Sequence, residues 1–244
     1  MALPSFFVCR AVQSCKQNAS SPAIKKQDNI TGYHENMLKA ESLECVRDDR
    51  LLFSDLNFSL SEAEVLQIEG ANGCGKTSLL RIICGLRQAE AGRVLWRGEP
   101  ISSSREDFYS EMVYIGHLPC IKGDLTVMEN VRSLLDTRSL TLAEPVIEAA
   151  LAKVGLASFE DVPGKALSSG QRRRILLAFI ELAQASLWVL DEPLTALDVE
   201  GVELMESMII DHKMAGGSVI FTTHHGMQLD CEMRSVRLGK ARSS

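Results

Sequence analysis

The sequence lacks several features that would place it in well-known classes of protein. No run of about 18 uninterrupted apolar residues occurs, so no membrane-spanning helix is predicted. The seven cysteines include no C-x-x-C pair, which argues against a disulfide framework and a zinc site. No C-x-x-C-H motif is present, and we expect no direct haem binding. No basic excess occurs either: 26 Lys and Arg stand against 32 Asp and Glu, and this net charge of −6 disfavours binding to nucleic acid.

The beginning of the chain differs in composition from the rest. Residues 1–36 are rich in Ser, Asn, Gln and Lys and show no periodicity, which predicts a disordered extension. Because Met37 comes directly before the first strand-like run, an upstream start codon would also explain this extension. We expect a single domain over residues 37–240, followed by a short tail at 241–244.

Beyond Met37, short apolar runs alternate with helical patterns, which is typical of an α/β domain with a largely parallel sheet. The predicted strands are 65–69, 93–96, 113–115, 187–190 and 218–222. The predicted helices are 77–84, 126–135, 143–154, 170–183 and 199–214. This alternation predicts the fold class but leaves many functions open.

A phosphate-binding loop is predicted directly after the strand at 65–69. The motif G-x-x-x-x-G-K-[ST] stands between a strand and a helix, as the P-loop requires, and the alternative of an ordinary glycine-rich turn does not explain the full motif. Lys76 would neutralise the β- and γ-phosphates of a nucleotide, and the Thr77 hydroxyl would bind Mg²⁺. The predicted ATP-binding residues of this loop are Gly70, Ala71, Asn72, Gly73, Cys74, Gly75, Lys76, Thr77 and Ser78.

Two acidic residues follow the apolar strand at 187–190. A buried strand that ends in a carboxylate brings an acidic group to the metal of a P-loop protein, so Asp191 is predicted to hold Mg²⁺. Glu192 is the candidate general base for an attacking water. Two acids at a strand end are also common in solvated turns, and the P-loop favours the functional interpretation.

The segment L-S-S-G-Q-R at 167–172 distinguishes this chain from kinases and GTPases that also carry a P-loop. It resembles the L-S-G-G-Q signature loop of the ATP-binding subunits of ABC transporters. The resemblance continues with T-A-L-D at 195–198, which is similar to the D-loop, and with Thr223-His224, which is similar to the switch histidine. It covers about residues 38–238.

The resemblance implies a P-loop NTPase fold of the ABC type, with a RecA-like core and a helical signature subdomain at roughly 117–183. It also implies a homodimer that encloses ATP, since the signature loop of one chain contacts the γ-phosphate on the other. His224 would help to position the attacking water, although a lone histidine is usually structural. The signature residues are Ser168, Ser169, Gly170 and Gln171, which an ordinary helix cap would also explain.

Two positions depart from the family pattern. His117 stands where most members have a glutamine, and an imidazole reaches differently from a primary amide. The aromatic residue that normally stacks on adenine is missing between Cys45 and Leu52. Arg47 or Arg50 could stack instead, or their charged cluster could be a solvated turn.

Whole segments of the sequence, and not only the motifs, resemble the branch of the ABC transporter family that serves bacterial cytochrome c maturation. It implies ATP hydrolysis that drives haem export or release of the haem-loaded chaperone CcmE. The implied partners are a membrane subunit like CcmB, with CcmC and CcmD, at the cytoplasmic face of the inner membrane. The alternatives are the ATPase subunit of another small-solute ABC transporter and a soluble ABC ATPase without a membrane partner.

Overall fold

The computed structural model describes residues 36–117, 120–223, 227 and 229–239. The chain divides into two units, Met1–Tyr33 and His34–Ser244, and every described residue lies in the second. The extension predicted for residues 1–36 thus lies outside the described residues, apart from its last residue, and so does the predicted tail at 241–244.

The predicted alternation of strands and helices is confirmed, with ends that differ by one or two residues. In the described part of the chain the strands are β1 (Leu38–Arg47), β2 (Arg50–Leu60), β3 (Val65–Glu69), β4 (Ala91–Trp96), β5 (Glu99–Pro100), β6 (Met112–Ile115), β7 (Leu187–Asp191), β8 (Ser218–Thr222) and β9 (Arg234–Arg237). The helices there are α1 (Lys76–Ile83), α2 (Arg105–Glu111), α3 (Val127–Asp136), α4 (Glu144–Lys153), α5 (Ser169–Leu182) and α6 (Val199–Met214). β1, β2, β5, β9 and α2 were not individually predicted.

A parallel sheet forms the centre of the fold, in the strand order β6-β7-β8-β3-β9. Every residue of β7 is buried, as expected for a strand covered on both faces. Its side chains alternate between two hydrophobic clusters, with Leu187 and Val189 in one and Trp188 and Leu190 in the other. Because β3, β7 and β8 run in the same direction, the loops that follow them meet at one edge of the sheet.

A smaller antiparallel sheet has the order β2-β1-β4-β5. β1 and β2 form a hairpin whose turn residues, Asp48 and Asp49, have φ values of 51° and 59°. Left-handed backbone at both central positions is typical of a type I′ turn, which matches the twist of a hairpin. The charged cluster seen in the sequence is therefore a hairpin turn, with Arg47 and Arg50 paired at its base.

Helices α3 and α4 both pack against α5. The start of α5 is fixed by a capping box, in which the backbone N–H of Gln171 donates to Oγ of Ser168 at 3.1 Å. In return, the backbone N–H of Ser168 donates to Oε1 of Gln171 at 2.9 Å. Two otherwise unpaired backbone donors are thus satisfied, so the signature segment has a defined helical start.

Candidate functional site

The loop between β3 and α1 has the geometry of a phosphate-binding loop. Gly73 and Gly75 have φ values of 75° and 108°, a region that side chains other than glycine rarely adopt. A Cβ atom at Gly75 would also lie 3.2 Å from the side chain of Leu52. No side chain of the described residues caps the start of α1, where backbone N–H groups lack a partner within the helix.

Lys76 lies at the first position of α1 and is buried, with 7% of its surface exposed. Its Nζ donates to the carbonyl oxygen of Gly70 at 2.9 Å, which holds the ammonium group over its own loop. Cys74 is also buried, and a Cβ atom at Gly70 would meet its sulfur. Cys74 therefore packs beneath the loop.

A pocket of about 440 Å³ lies against this loop. Most of the predicted P-loop residues line it, together with the proposed base Glu192. Gly70, Ala71 and Cys74 are not among its lining residues. The residues that line it are Arg47, Leu52, Asn72, Gly73, Gly75, Lys76, Thr77, Ser78, His117, Glu192 and Thr195.

Four of these lining residues were missed or left open by the sequence, namely Arg47, Leu52, His117 and Thr195. Leu52 gave no signal, because an aliphatic side chain in a strand is normally part of the core. Thr195 begins the T-A-L-D segment, and this segment could have identified it. His117 does reach the pocket, although its imidazole replaces the usual amide.

The two acidic residues at the end of β7 are held by a chain of hydrogen bonds. The backbone N–H of Glu192 donates to Oγ1 of Thr222 at 3.0 Å, and this hydroxyl donates to Oδ1 of Asp191 at 2.9 Å. Oδ2 of Asp191 is buried and has no hydrogen-bond partner. A buried carboxylate oxygen without a partner is costly in a folded protein, and a hard divalent cation would satisfy it.

The Asp191 carboxylate also contributes to raising the pKa of two weaker acids nearby, Cys84 and Tyr114. Burial raises the pKa of the Cys84 thiol, and the negative charge of Asp191 raises it further. Burial likewise raises the pKa of the Tyr114 phenol, again with a contribution from Asp191. Both groups therefore stay neutral at physiological pH, so they add no negative charge to that of Asp191.

The signature residues lie away from this pocket in the single chain. Ser168 and Ser169 are exposed, and none of residues 168–171 is among the described residues that line the pocket. A Cβ atom at Gly170 would lie 3.0 Å from the carbonyl oxygen of Ala196, so the loop at 195–198 crosses closely above α5. His224, predicted to be a switch residue, lies outside the described residues.

A second, larger cavity of about 680 Å³ lies beside β6, between the end of α2 and helices α3 and α5. Arg138 joins its walls, since its guanidinium donates to the carbonyl oxygens of Met112 and Ser110, both at 2.6 Å, and of Ala183 at 3.2 Å. Gly116, directly before His117, and Cys120, three residues after it, also line this cavity. The cavity thus adjoins a segment that also reaches the phosphate-loop pocket.

A phosphate loop and an acidic strand end at one edge of a parallel sheet define a P-loop nucleotide-binding protein. Comparison with known proteins agrees and is more specific. The family model described as ABC transporter matches residues 53–195. The chain therefore belongs to the ABC transporter family, in which it is an ATP-binding subunit that hydrolyses ATP.

Within that family, two curated relatives carry the same description, cytochrome c biogenesis ATP-binding export protein CcmA. The relative from Vibrio cholerae is 47% identical over 204 residues, which cover 83% of this chain and 99% of that protein. The relative from Methylococcus capsulatus is 47% identical over 201 residues, which cover 82% of this chain and 97% of that protein.

A solved structure from Pyrococcus furiosus, described as a putative ABC transporter ATP-binding protein, has the same fold with a TM-score of 0.72. It is 21% identical and covers 82% of this chain and 96% of its own. Family membership implies a dimer in a complex with a membrane subunit. Over the residues described, no helix is both long and apolar enough to span a bilayer.

Arg47 and Arg50 give a matched test of base stacking, because Arg47 lines the pocket and Arg50 does not. A guanidinium stacks on any base plane, so we expect ATP and GTP to be hydrolysed with kcat/KM values within about tenfold of each other. Arg47→Ala should weaken binding of both nucleotides roughly two- to fivefold, and Arg50→Ala should leave it unchanged. Steady-state kinetics with both nucleotides measures this, and strong exclusion of GTP by the unmodified protein would contradict it.

Proposed function

We propose that this chain is the ATP-hydrolysing subunit of an exporter used in the biogenesis of c-type cytochromes. The observation that carries the proposal is the 47% identity to proteins described as CcmA, over nearly their whole length. In this role ATP hydrolysis supports haem export or release of the haem-loaded chaperone CcmE. The proposal includes the domain boundaries 37–240 and a helical subdomain at roughly 117–183.

Mg²⁺ is part of this proposal, with the Thr77 hydroxyl and Asp191 as its protein ligands. The unpartnered Oδ2 of Asp191 and the place of Thr77 in the pocket both fit a cation that is also bound by phosphate. When bound, the cation would neutralise negative charge on the phosphates. No group of three or more His, Cys, Asp or Glu suited to a metal occurs in the described part of the chain, so the site depends on the nucleotide.

The residues of the pocket have separate roles in ATP hydrolysis. The backbone N–H groups of residues 73–78 and the Lys76 ammonium group bind the phosphates. A water oxygen forms a bond to the γ-phosphorus, and its proton passes to the Glu192 carboxylate. The bond from the γ-phosphorus to the bridging oxygen breaks, and ADP leaves with the electron pair. His224 helps to position the water.

A second copy of the chain completes the site. Ser168 and Gly170 of one chain contact the γ-phosphate bound by the other, which is supported by the exposure of the signature loop and its absence from the pocket of its own chain. The capping box uses the N–H groups of Ser168 and Gln171, and the remaining N–H groups at the start of α5 are of the kind that binds an anion at a helix N-terminus. ATP then links the two chains, and loss of the γ-phosphate releases them.

The cavity beside β6 is the proposed docking site for a membrane subunit like CcmB, with CcmC and CcmD in the same complex. The proposal rests on its size of about 680 Å³, its mixed polar and apolar lining and its continuity with the His117 segment. Docking there would hold the chain at the cytoplasmic face of the bacterial inner membrane. The proposal assigns no nucleic-acid site and no haem site to the residues that the structure describes.

The proposal is tested by complementation of a bacterium that lacks its own CcmA-type subunit. We expect the chain, expressed with its membrane subunit, to restore covalent haem in c-type cytochromes, measured by haem staining. Lys76→Ala is the control, because it should still co-purify with the membrane subunit while restoring no cytochrome. Co-purification with a membrane subunit for another solute, or ATPase activity with no membrane partner, would favour the alternatives and contradict the proposal.

A further inference from the structure

Arg173 is a buried charged residue that is not among the residues lining the nucleotide pocket. It lies in the first turns of α5, five residues after the N-cap Ser168, and only 3% of its surface is exposed. Its guanidinium bonds three backbone carbonyl oxygens: Nε donates to Pro193 at 3.2 Å, Nη1 to Gly116 at 3.2 Å and Nη2 to Glu192 at 3.0 Å.

These carbonyl groups belong to two loops that enter the phosphate-loop pocket from different elements. Gly116 follows β6 and precedes His117, which lines the pocket. Glu192 follows β7 and is the proposed base. The planar guanidinium group of Arg173 therefore holds the backbone on both sides of the proposed reaction site. Arg173 belongs to α5, the helix that begins with the signature loop.

The backbone at Glu192 requires such support. Its φ is 55°, a left-handed conformation that non-glycine residues rarely adopt, and such conformations persist where the surroundings hold them. The Thr222 hydroxyl accepts from its N–H, and the Arg173 guanidinium donates to its carbonyl oxygen. The peptide groups on both sides of the Glu192 side chain are thus held.

The charge of Arg173 fits its surroundings although no carboxylate is bonded to it. Burial lowers the pKa of its guanidinium, whereas the charges of Asp191 and Glu192 favour the protonated form. An arginine stays charged in proteins, and its donors are satisfied by carbonyl dipoles. Among the described residues, Arg173 takes part in no ion pair, unlike its neighbour Arg174, which pairs with Asp198 at 2.6 Å.

We propose that Arg173 is a positioning residue that links the signature helix to the catalytic carboxylate of Glu192 and to the segment at Gly116-His117. When the second chain binds at the start of α5, the Arg173 guanidinium group transmits the position of this helix to the loops that contain Gly116 and Glu192. The inference rests on the proposed ATPase mechanism, because it assigns Arg173 to act through Glu192.

The test is a double-mutant cycle in the full chain, with activity expressed per bound nucleotide so that unfolded protein does not count. Arg173→Lys keeps the positive charge but loses the planar guanidinium group that bonds three carbonyl oxygens. We expect its kcat to fall roughly ten- to a hundredfold, while its KM for ATP changes less than about twofold. In a Glu192→Gln background the same substitution should change kcat less than about twofold, since the group it positions is already disabled. Arg132→Lys on α3 is the matched control and should retain the unmodified rate, because Arg132 makes a surface ion pair with Glu144 at 2.6 Å and does not line the nucleotide pocket.

The proposal is overturned if Arg173→Lys hydrolyses ATP at the unmodified rate, or if its effect multiplies fully with that of Glu192→Gln. If Arg173→Lys does not fold, Arg173→Gln, which is shorter and uncharged but keeps an amide NH2 donor, takes its place in the same cycle. Failure of the ATPase mechanism itself gives a different result, because Glu192→Gln alone would then keep its activity.

Discussion

Glu192→Gln is expected to lower ATP turnover by roughly 10² to 10⁴ while leaving ATP bound. The amide of glutamine has nearly the same shape as the carboxylate but cannot accept the proton of the attacking water. The backbone of this residue is held by Thr222 and Arg173 through main-chain atoms, so the substitution should not displace it. Because the γ-phosphate then remains in place, two chains should stay joined around ATP.

Two measurements separate these effects. Single-turnover hydrolysis reports the chemical step, and size-exclusion chromatography with ATP and Mg²⁺ reports the trapped dimer. Glu203→Gln, an exposed position on α6, is the matched control and should behave as the unmodified protein. Unmodified turnover by Glu192→Gln would assign the base to another group, and a variant that stays monomeric with ATP would contradict the shared-nucleotide model.

Lys76→Ala should abolish most of the hydrolysis, with a loss of at least about 10² in kcat/KM. Its ammonium group is the one side-chain cation that the P-loop itself supplies, and it is nearly buried, so water would not replace its charge effectively. The variant also loses the bond to the carbonyl oxygen of Gly70, which keeps the loop ordered around the site. ATP affinity should therefore fall together with the rate.

Equilibrium binding of a fluorescent ATP analogue, combined with steady-state phosphate release, measures both losses. Lys39→Ala is the control, because Lys39 is exposed and its ion pair with Glu41 at 2.8 Å lies on the surface, where such pairs contribute little. Hydrolysis by Lys76→Ala at a rate near that of the control would show that the loop does not bind the reacting phosphates in the way proposed.

Prediction from the sequence was accurate where a pattern has a local physical cause. The strand at Val65–Glu69, the glycines after it and the helix at Lys76 follow from periodicity and backbone freedom over a short stretch. The antiparallel strands β1 and β2 were not predicted individually. Their alternation is interrupted by register shifts, for example between Ala40 and Leu43, which break the period-two signal.

Other features had no signal of their own in the sequence. The run Arg172-Arg173-Arg174 shows three identical residue types, but in the fold the first contacts Gly164, the second bonds three carbonyl groups and the third pairs with Asp198. Successive residues of a helix point in directions about 100° apart, so neighbours in sequence reach different partners. Similarly, only the fold distinguished Arg47 from Arg50 as the arginine beside the pocket.

The sequence by itself determined the family, the phosphate loop and the acidic strand end, because each is a short motif whose chemistry depends on neighbouring residues in one order. The tertiary structure decided which distant groups meet these motifs. Thr222 joins Asp191 to Glu192, Arg173 joins both pocket loops to α5, and the signature residues lie outside the pocket of their own chain. Such contacts depend on strand order and helix packing, which bring together residues whose separation along the chain carries no local signal.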